Sequence, residues 1–224
     1  VRQKSEVFFL AAYHSSFIVA IYGLGYDLAF RILKIIHAPI GDLRLIAGSE
    51  TFHQDKKKFL LLLDKINTYT CLIFIPMMLA LLILVEDIIQ FFYGDDFIAS
   101  SLTFRLMLVL FGFSVMTAHI SPTIAVLEKF DLMITVSVIS AMLNLGLNFI
   151  LIPEHGINGA LISVYIATIF PTIFWSLYIK NYMGYFFPLY TYIKIIFSSL
   201  PMVILLYLHF LQEAAYPSFL QNIF

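Results

Sequence analysis

Asp27, Arg31, Lys34, His37, Asp42 and Arg44 lie close together in a stretch of otherwise apolar sequence. A charged side chain inside a membrane span costs roughly 2.5–3.5 kcal/mol on insertion scales, so such a concentration needs a physical reason. At about 100° per residue, Asp27, Arg31, Lys34 and Asp42 fall within one helical sector of roughly 80°, whereas Leu28, Ile32, Ile35 and Ile36 lie elsewhere. A polar stripe on an apolar helix faces a water-filled cavity or another polar helix rather than lipid. Two readings of the stripe stand. In one, Arg31 and Lys34 form a cationic patch that receives an anionic headgroup such as a pyrophosphate. In the other, Asp27–Arg31 and Arg31–Lys34–Asp42 pair among themselves, or the long side chains snorkel to the interface.

Further polar residues sit in apolar runs. Asn144 and Asn148 are four apart, hence on one helical face, and such amides either bond across a helix interface or contact a sugar. Arg105 either snorkels or lines an outer vestibule. His119, beside Thr117 and Ser121, and His14, beside Ser15 and Ser16, are each a structural hydrogen-bonded histidine or a proton relay. There is no HExxH or His-x-x-x-His pair, no GxSxG, no Gly-rich phosphate loop and no two carboxylates at neighbouring helical positions within a span. No catalytic residue, metal site or cofactor is therefore expected. The sequence does not argue for an enzyme.

The elements that must position these residues follow from composition. The 224 residues are 61% hydrophobic and 12% charged. A soluble domain carries about a quarter charged residues and less than half apolar ones, so one core cannot absorb these side chains and lipid must serve as solvent. The net charge of −1 gives no electrostatic case for nucleic acid, and the single cysteine, Cys71, forbids an intrachain disulfide.

Apolar runs of about 20 residues cross roughly 30 Å of hydrocarbon. Runs at 59–85, 102–127, 132–152, 157–179 and 190–212 meet that length, and the stretch 7–47 is about twice too long for one crossing. Gly23-Leu24-Gly25 offers the natural turn within it, which gives spans 7–22 and 26–47. The expected architecture is thus an all-α, polytopic bundle of seven transmembrane helices over 1–212, with a short non-cytoplasmic tail at 213–224. With residues 1–6 inside, the cytoplasmic segments contain Arg2, Lys4, Lys56, Lys57, Lys58, Lys129, Lys180 and Lys194. The opposite loops, 23–25, 86–101, 153–156 and 213–224, contain no lysine or arginine, as the positive-inside rule requires. Pro171 and Pro201 each remove a backbone donor from a span and predict kinks.

Residues 143–167, LNLGLNFILIPEHGINGALISVYIA, resemble the N-x3-N-x2-LIP-x2-G-x2-GA stretch of polysaccharide exporters, the O-antigen-type flippases of the multidrug/oligosaccharidyl-lipid/polysaccharide exporter superfamily. The motif is carried by Asn144, Asn148, Leu151, Ile152, Pro153, Gly156, Gly159 and Ala160. Physically it reads as a helix ending at Pro153, a tight turn using Gly156 and close helix packing at Gly159-Ala160. Phe92-Tyr93-Gly94 through Phe97, Val126 to Lys129, and Tyr26, Ala29 and Arg31 are similar to three further family segments in the same order.

The resemblance implies the second of two helical bundles in a protein of twelve to fourteen helices, with the first bundle missing from this chain, which starts at Val1. It also implies an inner-membrane, multi-pass transporter that moves a lipid-linked oligosaccharide, an undecaprenyl-pyrophosphate repeat unit, to the outer leaflet. The headgroup would enter a cavity between the bundles while its tail stays in membrane lipid. Arg31 and Lys34 would contact the pyrophosphate, and Asp27 and Asp42 could neutralise that patch. The competing readings are a drug or cation antiporter of the same superfamily, which needs cavity carboxylates, and a membrane-embedded glycan polymerase or acyltransferase. The latter needs a large outer loop with catalytic His, Arg or Asp, whereas loop 86–101 carries only acidic charges. By itself this half is expected to be inactive.

Overall fold

A computed structural model describes the backbone of residues 5–185 and 188–221, and the side chains of residues 5–35, 55–185 and 188–208. Among these residues all regular structure is helical: α1 (Ser5–Tyr13), α2 (Ser16–Gln54), α3 (Lys56–Tyr93), α4 (Ser100–Met116), α5 (Ile120–Val126), α6 (Phe130–Met183) and α7 (Leu189–Gln221). One 3-10 turn, Asp95–Phe97, joins α3 to α4. Helix satisfies backbone polar groups within a segment, which is what an apolar solvent demands. Among the described residues four helices are long and apolar enough to cross a membrane, or five if α4 and α5, bent by 42°, form one span.

The helix ends have local causes. Asp55 caps α3, its carboxylate accepting from the backbone N–H groups of Lys57 and Lys58. Gly184 ends α6 in the left-handed region at φ 67°, donating its N–H to the Lys180 carbonyl at 2.9 Å.

At 54 residues α6 would be about 80 Å long if straight, well beyond one hydrocarbon thickness. Its helical dihedrals break at Gly156 (φ 53°, ψ −125°), a conformation open to glycine and strained for other residues. The break reverses the chain, because Ser140 Oγ donates to the Ala167 carbonyl at 2.5 Å across the two arms. That carbonyl sits four residues before Pro171, which has no N–H to give it, so the serine supplies the missing donor. Gly159 lies so near the first arm that a Cβ there would collide with the Leu151 carbonyl. The turn and the close packing read from 151–160 are therefore present, with the break three residues beyond Pro153. Within α6 the non-helical dihedrals fall at Gly156, while Pro153 and Pro171 lie inside the helix.

The turn expected at Gly23-Leu24-Gly25 is not there. α2 runs through it, and the interruption falls earlier, at His14–Ser15. Glu6 of α1 and Tyr26 of α2 would be about 30 Å apart on one straight helix, yet they line one cavity, so the chain folds back between α1 and α2. Gly25 has a different task. A Cβ at this position would lie 2.7 Å from the Ser100 carbonyl and 2.8 Å from Thr103 Cβ, so glycine lets α2 press against α4. Glycine marks backbone approach as readily as a turn, and hydropathy does not separate the two.

The main core joins Leu10, Tyr22, Phe74, Met107, Leu108 and Ile152 from five helices, and a smaller one gathers Ile120, Ile124, Val136, Trp175 and Ile179. Phe8, Ile35, Phe91 and Tyr190 are at least three-quarters exposed. So much exposed large apolar surface fits a lipid-facing exterior and not an aqueous one.

Candidate functional site

The inner side of α2 buries Tyr22, Tyr26 and Ala29, with Tyr26 and Phe30 edge-on to Phe111 of α4. The remaining side carries Asp27, half-buried, and Arg31 and Lys34, both exposed. None of the three forms an ion pair among the described residues, where the salt bridge found joins Arg105 and Glu86 at 2.9 Å. The Asp27–Arg31 pairing that the spacing allows is thus not made. The side chain of Asp42, and with it the rest of the expected stripe, lies outside the described residues.

A second polar cluster lies where α1 meets the first arm of α6. Glu6, 2% exposed, accepts a hydrogen bond from Asn144 Nδ2 at 3.0 Å, and Ser5 Oγ donates to Asn144 Oδ1 at 2.8 Å. Asn148, fully buried, donates through Nδ2 to Asn144 Oδ1 at 3.2 Å. Among the described residues Asn148 Oδ1 has no partner. The two asparagines therefore bond across a helix interface, with α1 as the other side. Glu6 and Asn144 also line a cavity of about 340 Å³ with Tyr26, Phe111, Thr168 and Pro171. Arg31 and Lys34 do not line it, so the expected substrate residues divide into an outward cationic face and an inward carboxamide–carboxylate pocket.

Glu6 was not anticipated as a site residue, because the first six residues read as a cytoplasmic segment before the span. It stands in the first turn of α1, a helix that starts two residues earlier than the apolar run. The pair Asn144/Asn148 held the one usable signal: two buried amides on one face require a polar partner across from them.

His14 and His119 both sit at helix junctions. His14 Nε2 donates to the Ile152 carbonyl at 2.8 Å, which fixes the α1–α2 bend against the α6 turn and requires a proton on Nε2. His119, 2% exposed, lies between α4 and α5 with its ring edge-on to Tyr185. Tyr185, in the link after α6, donates to Asp64 Oδ1 at 3.0 Å, and burial first, then the Asp64 carboxylate, push its phenol pKa well above the usual 10. Arg105 does more than snorkel: besides Glu86, its Nε donates to the Leu82 carbonyl at 3.1 Å. No group of three metal-ligating side chains occurs among the described residues.

Fold and site together define an all-helical protein whose apolar helices are suited to a membrane, with a buried carboxylate cavity and an uncovered cationic face. No family model, curated protein or solved structure matches the chain.

Proposed function

We propose that this chain is a helical bundle of a transporter that moves lipid-linked oligosaccharide repeat units, carried on undecaprenyl pyrophosphate, across the cytoplasmic membrane by alternating access. The cargo would serve O-antigen, capsule or exopolysaccharide synthesis. One observation carries the reading: Arg31 and Lys34 are exposed and unpaired by any described residue, on a helix apolar enough to enter a membrane. Two such cations facing lipid would be costly, whereas facing a cavity between bundles they would meet the pyrophosphate that the cargo brings. The motif at 143–160 supports the same assignment through its resemblance to polysaccharide exporters. In this account the cations hold the diphosphate, Asn144 and Glu6 line a separate inward pocket, and the polyprenyl tail remains in lipid. The test is complementation of a strain lacking the gene. R31A/K34A should reduce surface glycan at least tenfold, and R31K/K34R should restore most of it. Full complementation by R31A/K34A would remove these residues from the mechanism.

Glu6 favours a second reading, a cation-coupled antiporter of the same superfamily. A carboxylate that is 2% exposed and faces a cavity is the group such coupling needs. The readings separate on cargo: the antiporter predicts cation-dependent efflux of small amphiphilic drugs and an unaltered surface glycan in the strain lacking the gene.

A further inference from the structure

We propose that the first turns of α3 hold the phosphate of an acidic glycerophospholipid. Lys58, Leu61, Leu62 and Lys65 line a groove of about 360 Å³ at the end of α3 that the lysine distribution assigns to the cytoplasm. Lys58 and Lys65 are both exposed, and neither pairs with a carboxylate among the described residues. The carboxylates nearest in sequence are engaged elsewhere, Asp55 in capping the helix and Asp64 with Tyr185. Seven residues separate the lysines, about 10 Å along the axis and nearly the same helical direction, and their flexible stems allow both ammonium groups to converge on one phosphate.

The same face then changes character with depth. Tyr69 follows one turn after Lys65 and is 66% exposed, and Leu72 and Ile73 come next, also exposed. Cation, aromatic and hydrocarbon succeed one another in the order of headgroup, glycerol region and acyl chain. A zwitterionic lipid brings its own cation to the site, so charge complementarity selects a lipid with net negative charge. This site is independent of what the protein transports.

The full chain, purified in detergent, would be titrated with phosphatidylglycerol, phosphatidylcholine or inorganic phosphate while its unfolding midpoint is followed. Phosphatidylglycerol should raise the midpoint saturably, and the other two should not. K58Q/K65Q should raise the half-saturating phosphatidylglycerol concentration about tenfold or more, while K58R/K65R stays near the unmodified protein. K129Q/K194Q, with the same charge change elsewhere, should also stay near it. An equal loss in K129Q/K194Q would overturn the proposal in favour of diffuse charge attraction. An equal midpoint rise with phosphatidylcholine, or with inorganic phosphate alone, would overturn it too. Should K58Q/K65Q not fold, a tenfold loss in K58R/K65R would count against the site.

Discussion

The carboxylate of Glu6, the hydroxyl of Ser5 and the amides of Asn144 and Asn148 form one hydrogen-bonded cluster centred on Asn144. Glu6→Ala would leave Asn144 Nδ2 without its acceptor in a buried place, and an orphaned buried polar group costs about 1–3 kcal/mol. Glu6→Gln keeps an acceptor oxygen, so it should unfold closer to the unmodified protein in a detergent denaturation series. If E6A and E6Q were equally stable, the bond to Asn144 would not be contributing. Tyr185 permits a signed pH expectation. Its phenol is held neutral, so its contribution is complete below about pH 10, the ordinary phenol value, and is lost as the pH rises above that. Y185F should therefore be less stable than the parent at pH 8, with the gap narrowing in strong alkali. A gap that stayed constant from pH 8 into strong alkali would contradict the assignment.

At the scale of elements, the two reversals share one junction. The α1–α2 bend at His14 is bonded to the Ile152 carbonyl of the first arm of α6, and its ring lies against Gly156. Gly156→Ala places a Cβ at φ 53°, so it should cost about 1–3 kcal/mol of stability. Space is not the obstacle, since the nearest atom, His14 Cε1, would be an ordinary 3.5 Å away. A neutral G156A would mean that the hairpin does not need this dihedral. Gly25→Leu acts through a different cause, because the backbone of Ser100 cannot yield; it should disrupt the α2–α4 contact and lower expression of folded protein.

This contrast also explains what was legible in the sequence. Pro153 and Gly156 announced the hairpin because a missing donor and a positive φ are local properties. Gly25 resembled a turn for the same local reason, yet its cause is tertiary: the backbone of a helix seventy-five residues away in sequence. The true bend, His14–Ser15, contains no glycine or proline and left no comparable mark. Likewise the cationic stripe was visible as a helical periodicity. The partner of the two asparagines was not, because it lies 138 residues from Asn144 and outside the apolar run.

At the scale of the whole molecule, the bundle has two polar features that face different ways, a half-open cavity lined by α1, α2, α4 and α6 and a cationic side of α2 left uncovered by any described residue. In the proposed transporter the cationic side meets the diphosphate, while the carboxylate cavity faces elsewhere. The most direct measurement disrupts the gene in its host and extracts the lipid-linked glycan repeat units. Their leaflet is then probed with a membrane-impermeant sugar-oxidising label. The account predicts accumulation in the cytoplasmic leaflet, protected from the label in intact cells and reactive once the membrane is opened, and relief when the gene is restored. Normal surface glycan without any lipid-linked intermediate accumulating would contradict it.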